Sequence, residues 1–391
     1  MARRIAGIPA LLFTLGLALA LALAACGGGG DARRSSTPAA VADATTIDFD
    51  HVANYAAPAL PAYFDATVTA LDNSPAPNPA DDRIATLGRV LFHDLRLSTN
   101  DRASCASCHQ QALGFTDSMR FSNGISNAAT TEFHAMRLGN LRYWQPGSTF
   151  WDRRAASVEA QASHPFHSLI EMGWGGAAGG FDALTRKMAA TTYYPPLFRW
   201  AYGTDAITEP RIQQALALFV RAMVASTSRW DDGYARVFSP TAPNRALDVD
   251  LPDFTPQENR GRHVFMADLA QGGAGCAACH RPPTFALAAD ARSNGLDAGE
   301  TRLFKAPSLR NVALTGPYMH DGRFATLAEV VAFYDRGVQD GPALDDRLRQ
   351  GGGPRRLKLD PGDRAALVAF LKTLDDRALT TDARFSDPFR R

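Results

Sequence analysis

Cys105-Ala106-Ser107-Cys108-His109 and Cys276-Ala277-Ala278-Cys279-His280 decide how the rest of the chain is read. In each stretch two thiols stand two residues apart, which puts both sulfurs on one side of a short helical turn. The residue that follows is an imidazole. This arrangement suits thioether attachment of haem c, with His109 and His280 as axial ligands to iron. The competing reading is a zinc ion held by the four thiolates, but it leaves the two coincident histidines unexplained. The remaining cysteine is Cys26, so none of the five is left for a disulfide framework.

Outward from each motif the same layout repeats. Ile84, Leu87 and Leu91 share one helix face and lead into the first motif. Thr255-Pro256-Gln257-Glu258 reads as a capping box with proline at the first helical position, opening a helix that leads into the second. Residues 211–224 read as a buried amphipathic helix, with Ile212, Leu216, Phe219 and Met223 on one side. Asp360-Pro361-Gly362-Asp363 opens a last helix over 361–374. No alternating apolar strand of any length stands out. The expected fold is therefore mainly α, with two cytochrome c-like haem domains and long loops. Prolines and aspartates cluster at 238–253, which divides the domains at 61–250 and 251–391.

The first residues read differently. Arg3 and Arg4 precede an apolar run over residues 8–25 that ends in Leu23-Ala24-Ala25-Cys26. Residues 1–25 are expected to be a lipoprotein signal peptide. Cys26 would then carry lipid, and residues 26–60 would form a flexible tether. An uncleaved anchor helix is the alternative. The lipoprotein reading places the protein in the periplasm, anchored to a membrane and more readily to the outer one. Hydrophobic residues make up 46% and charged residues 21%, as in a globular chain. A net charge of +1 gives no basic excess for nucleic acid, and there is no Walker loop or dinucleotide fingerprint.

Further blocks surround the two motifs. Trp151-Asp152-Arg153-Arg154-Ala155, Gln161, Glu171-Met172-Gly173, Lys305-Ala306-Pro307-Ser308-Leu309-Arg310-Asn311 and Leu314-Thr315-Gly316-Pro317-Tyr318-Met319-His320-Asp321-Gly322 follow in that order. From about residue 80 to 375 the chain resembles bacterial di-haem cytochrome c peroxidases and the related MauG enzymes. The resemblance implies two covalently bound haem c groups, the first being the one that meets hydrogen peroxide. It assigns Gln161 and Glu171, ten residues apart, to the distal pocket of that haem. Glu171 would be the acid–base residue, since a carboxylate near peroxide can move a proton between its oxygens. Trp151 stands at the family's inter-haem tryptophan.

The resemblance also carries departures. Residues 120–130 contain no histidine where resting peroxidases place a blocking one, so the first iron is expected to be five-coordinate. His134, His164, His167, Met119 and Met136 remain candidate distal ligands. The second haem's distal ligand falls nineteen residues after Thr315, at Tyr334, where peroxidases carry methionine and MauG carries tyrosine. Thr326 and Glu329 make a capping box, and Leu327, Val330, Val331 and Tyr334 then share one helix face. Met319 is the rival ligand. A phenolate would favour higher iron oxidation states, whereas methionine raises the potential. A calcium ion is left open, held by the carbonyls of Thr315 and Pro317. His134 stands at the third position, a poor partner for a hard cation.

The implied reaction has two forms: reduction of hydrogen peroxide by a redox donor, or peroxide-driven oxidation of a side chain on a partner protein. The tyrosine tilts the reading to the second. A homodimer is in keeping with the family. The alternative is a membrane-tethered di-haem electron-transfer cytochrome without peroxidase activity, which leaves Gln161 and Glu171 without a role.

Overall fold

Two tight helix crossings organise the molecule. In the computed structural model, which describes residues 36–145 and 147–390, the helix Asp82–His93 packs on the helix Glu209–Arg221. The helix Pro256–Met266 packs on Pro361–Lys372 in the same way. Each crossing depends on a glycine. A Cβ at Gly88 would collide with the Ala215 carbonyl and crowd Phe219; one at Gly261 would collide with the Ala366 carbonyl and crowd Phe370. The backbones touch where the side chain is missing, and the aromatic one turn later covers the contact. Both crossings stand just before a Cys-x-x-Cys-His turn.

The caps expected from sequence form. Thr255 and Glu258 bond reciprocally at the start of one helix, and Thr326 and Glu329 at the start of another, Leu327–Ala332. Asp81 caps the helix Asp82–His93, and Asp360 caps Pro361–Lys372. Strand is confined to two ladders of two-residue strands, His280–Arg281 with Ala286–Leu287 and Arg349–Gln350 with Gly353–Pro354. The fold is mainly α with long loops. Among the described residues no helix is long and apolar enough to cross a membrane.

Two apolar cores underlie the crossings. The first gathers Leu87, Leu91, Phe92, Ile212, Leu216 and Phe219 with the chain before and after them. The second gathers Val264, Phe265, Phe285, Leu367 and Phe370. Neither is built from one continuous stretch. Tyr63, Phe64, Val68 and Tyr143 lie in the second core, while Leu379 and Phe385 lie in the first. A buried ion pair ties the halves. Arg310, fully buried, donates to Asp231 at 2.6 and 2.8 Å, and the Tyr63 hydroxyl donates to the same carboxylate at 2.5 Å.

The start of the described chain differs from expectation. The signal peptide, Cys26 and the beginning of the expected tether lie outside the described residues. From Ser36 onward, though, the expected tether is packed. The helix Ala39–Ala44 buries Val41, and Ile47 and Tyr55 enter the first core. The C-terminus holds this segment. Thr45 pairs antiparallel with Phe389, and the Tyr55 hydroxyl donates to the Arg384 carbonyl at 2.7 Å. Alanine, serine and threonine without periodicity read as linker because the order comes from a partner more than 300 residues away in sequence.

Candidate haem centres

At the first motif the turn Cys105–Cys108 is set by a reciprocal cap between Ser104 and Ser107. His109 follows at its end, half-buried. Its Nδ1 donates to the Phe115 carbonyl at 3.0 Å, which fixes the ring. Burial holds the imidazole below its ordinary pKa, so it is neutral, the form that binds a metal. At the second motif Cys276, Cys279 and His280 line a cavity of about 200 Å³. Burial, with Arg137 nearby, pushes His280 down to about 4. Its Nδ1 is buried without a partner.

These residues fit haem c and do not fit zinc. All four described cysteines are free thiols, and burial pushes Cys105 and Cys276 up to about 12. Zinc requires thiolates brought together. Among the described residues no group of three or more histidine, cysteine or acidic side chains converges on a metal-sized site. The second cavity, with its neutral imidazole, its thiol pair and its largely apolar lining, suits a porphyrin face.

Glu171 and Gln161 come from neighbouring elements. Gln161 lies in the helix Val158–His167. The loop after it folds back: Met172 N donates to Pro165 O at 3.2 Å and Trp174 N to Phe166 O at 3.0 Å. This brings Glu171 beside the helix end and near enough to Cys105 and Cys108 for its charge to act on both. Burial raises the Glu171 carboxyl above its ordinary value, while Arg154 and the Ser168 hydroxyl pull it down. The helix that carries Gln161 is pinned by Glu159, which takes two bonds from the buried Arg221 at 2.5 and 3.0 Å.

Tyr334 lines the second cavity with His280 and Met319. It lies one turn beyond the helix Leu327–Ala332, where the chain widens to a π turn over Phe333–Gly337. The Asn294 amide donates to the Tyr334 hydroxyl at 3.3 Å and to Met319 sulfur at 3.5 Å, holding both candidate ligands. Burial pushes the Tyr334 hydroxyl up to about 12. Its conversion to phenolate therefore needs a cationic metal.

The other candidate ligands are placed elsewhere. Met119 is exposed, and so are His164 and His167. Met136 sulfur accepts from Lys305 at 3.4 Å. His134 is buried with both ring nitrogens engaged: Nδ1 donates to Met119 O at 2.9 Å and Nε2 accepts from Thr116 Oγ1 at 3.1 Å. It bridges the two centres. Thr116 pairs with Gln110 next to the first motif, and the His134 carbonyl accepts the Trp151 indole N–H at 2.8 Å. Trp151 in turn lines the second cavity.

Of the expected calcium donors, Thr315 and Pro317 follow the short helix Val312–Leu314. The third of them, His134, has no free nitrogen. The Arg137 guanidinium donates to the Thr315 hydroxyl at 3.3 Å. Arg137, Lys305 and Asn294 are the residues that sequence reasoning missed. Lys305 opens a block singled out there; the other two carry no sequence signal.

Two Cys-x-x-Cys-His turns, each beside a neutral imidazole and a tight helix crossing, define a di-haem c-type protein. The comparisons narrow the class. A family model described as di-haem cytochrome c peroxidase matches residues 82–236. The chain is 32% identical over 321 residues to the methylamine utilization protein MauG of Methylorubrum extorquens, covering 77% of this chain and 80% of that one. Cytochrome c551 peroxidase of Nitrosomonas europaea is 28% identical over 322 residues, with 76% and 82% covered. Among solved structures, a MauG-like protein associated with microbial copper homeostasis superposes with a TM-score of 0.64 at 30% identity, over 81% of this chain and 96% of that one. The chain belongs to the di-haem cytochrome c peroxidase and MauG family. It is an oxidoreductase with peroxide as acceptor and haem c as cofactor.

Proposed function

We propose that hydrogen peroxide reacts at the centre carrying His109, and that the centre carrying His280 and Tyr334 holds the second oxidising equivalent, as in MauG-type oxidation of a partner protein's side chain. The observation that carries the reading is Tyr334, whose hydroxyl stands in the same cavity as His280. Bound haem supplies the redox chemistry of peroxide cleavage; the chain supplies orientation and protons. The Glu171 carboxylate takes a proton from one peroxide oxygen and returns it to the other, and the Gln161 amide orients the bound peroxide. Trp151 relays charge between the centres. Its N–H bond to the His134 carbonyl joins it to the first, and its place in the second cavity joins it to the other.

The division at 61–250 and 251–391 into two haem domains draws support from the matched crossings at Gly88 and Gly261. The membrane-tethered, periplasmic location rests on residues 1–26, and the homodimer on the family alone. Absorption and EPR spectra of the ferric protein, before and after one equivalent of hydrogen peroxide, test the mechanism. A high-spin signal beside a low-spin one, both lost quickly on peroxide, is expected. Two low-spin centres inert to peroxide, in the ferric and the half-reduced protein alike, would return the chain to plain electron transfer.

A further inference from the structure

Three cations gather beside the second cavity, and among the described residues none of them has an acidic hydrogen-bond partner. Lys305 is 2% exposed, and the only side-chain acceptor of its Nζ among the described residues is Met136 sulfur at 3.4 Å. A thioether is a weak acceptor and carries no charge. Arg137 donates only to neutral oxygens: Ser308 O at 2.5 Å, Thr315 Oγ1 at 3.3 Å and Pro307 O at 3.4 Å. Arg153 donates to the Ala291 and Phe304 carbonyls at 2.7 and 3.2 Å, and its Nε is buried without a partner. Lys305 and Arg153 both lie over the Trp144 ring, at 5.5 and 5.4 Å. The carboxylate whose charge acts on Arg137 is that of Asp375, which accepts from Ala313 N at 3.2 Å.

Such an arrangement is costly unless an anion completes it. A buried ion without a counter-charge costs several kcal/mol even after relaxation. Here each cation also repels the next: burial, Arg137 and Arg153 together push the Lys305 ammonium down to about 7. Lys305 and Arg137 both line the cavity that holds Cys276, Cys279 and His280. The group those three residues would carry has two carboxylates of its own.

We propose that Lys305 and Arg137, backed by Arg153, form a binding site for the propionate carboxylates of the haem tethered at Cys276 and Cys279. The two positive charges raise that haem's reduction potential against the pull of an anionic Tyr334. A cation close to the haem edge favours the ferrous form, which carries one positive charge fewer than the ferric. The site thereby sets how easily the second centre gives up an electron when peroxide reacts at the first. The inference rests on haem attachment at Cys276 and Cys279, which a pyridine haemochrome count of two per chain checks separately.

The test is Lys305→Met, which keeps the volume and removes the charge, in the di-haem protein. Spectroelectrochemical titration resolves the two haems by their EPR signals. The expected result is at least a tenfold fall in the ferrous-to-ferric ratio of the second haem at fixed potential, about 59 mV for one electron. Its propionate bending band in the resonance Raman spectrum should move as well, with the first haem unchanged and Lys305→Arg close to the parent. An unmoved second haem would overturn the proposal, as would a shift confined to the first. A potential that follows chloride concentration in the parent and loses that dependence in Lys305→Met would overturn it too, since a solution anion would then fill the site. Should Lys305→Met carry a single haem, Arg137→Gln is read by the same criteria.

Discussion

At Glu171, the proposed acid–base residue, two physical effects oppose each other. Burial disfavours the carboxylate and raises its pKa, while Arg154 and Ser168 favour it. Burial wins, so the group titrates above its ordinary 4.5. A base must be ionised to take the peroxide proton. The rate should therefore hold at neutral pH and fall as pH drops through that raised value, earlier than an exposed glutamate would allow. Glu171→Gln should keep both haems and slow the peroxide reaction by about 10²–10⁴, measured by stopped-flow absorbance; an unchanged rate removes the assignment. Tyr334→Met should raise the second haem's potential in redox titration, because a neutral thioether replaces an anionic oxygen. No shift would mean that Tyr334 is not a ligand. Cys105, Cys108 and His109 could be read from the chain because covalent attachment demands fixed spacing, all three lying within five positions, whereas Glu171 and Tyr334 were carried by the family resemblance. Asn294, Arg137 and Lys305 were not read as site residues. They come from three segments, and only tertiary packing gives them a shared cavity.

The helices follow from local rules, and their junctions do not. Caps at Thr255, Thr326 and Asp360, and the apolar periodicity of Ile84, Leu87 and Leu91, sufficed to place four helices. The π turn at Phe333–Gly337 escaped, because hydrophobic periodicity does not encode a local change of hydrogen-bond register. The short helix Ala39–Ala44 escaped because six residues do not form a stable helix alone. The crossings at Gly88 and Gly261 are where an element's sequence meets its neighbour's backbone. Gly88→Ala and Gly261→Ala should each cost about 1–3 kcal/mol, measured by guanidinium denaturation of the di-haem protein. Each should perturb the Soret band of its own half. A neutral outcome at both would mean that the helices separate there without loss.

Across the whole molecule, buried contacts cross the division expected at 238–253. Asp231 belongs to the first half by sequence, yet it is held by Arg310 of the second and by Tyr63. Arg310→Met should destabilise the protein by about 3–5 kcal/mol, because it strands a buried carboxylate. Arg310→Met combined with Asp231→Leu should recover part of that loss; if the double variant is no better than the single, the pair is not what the arginine supports. The last fifteen residues join the first core through Phe385, and the Thr45–Phe389 pairing clamps the beginning of the described chain. That closure has a bearing on biosynthesis. Synthesis runs from the amino end, so the half carrying Cys105 is made long before the residues at the carboxyl end that pack against it. Until residues 379–382 arrive, Gln111, two residues after His109, lacks the Leu379 and Asp382 carbonyls to which its amide donates. The carboxyl end thus acts as a latch that the order of synthesis leaves for last.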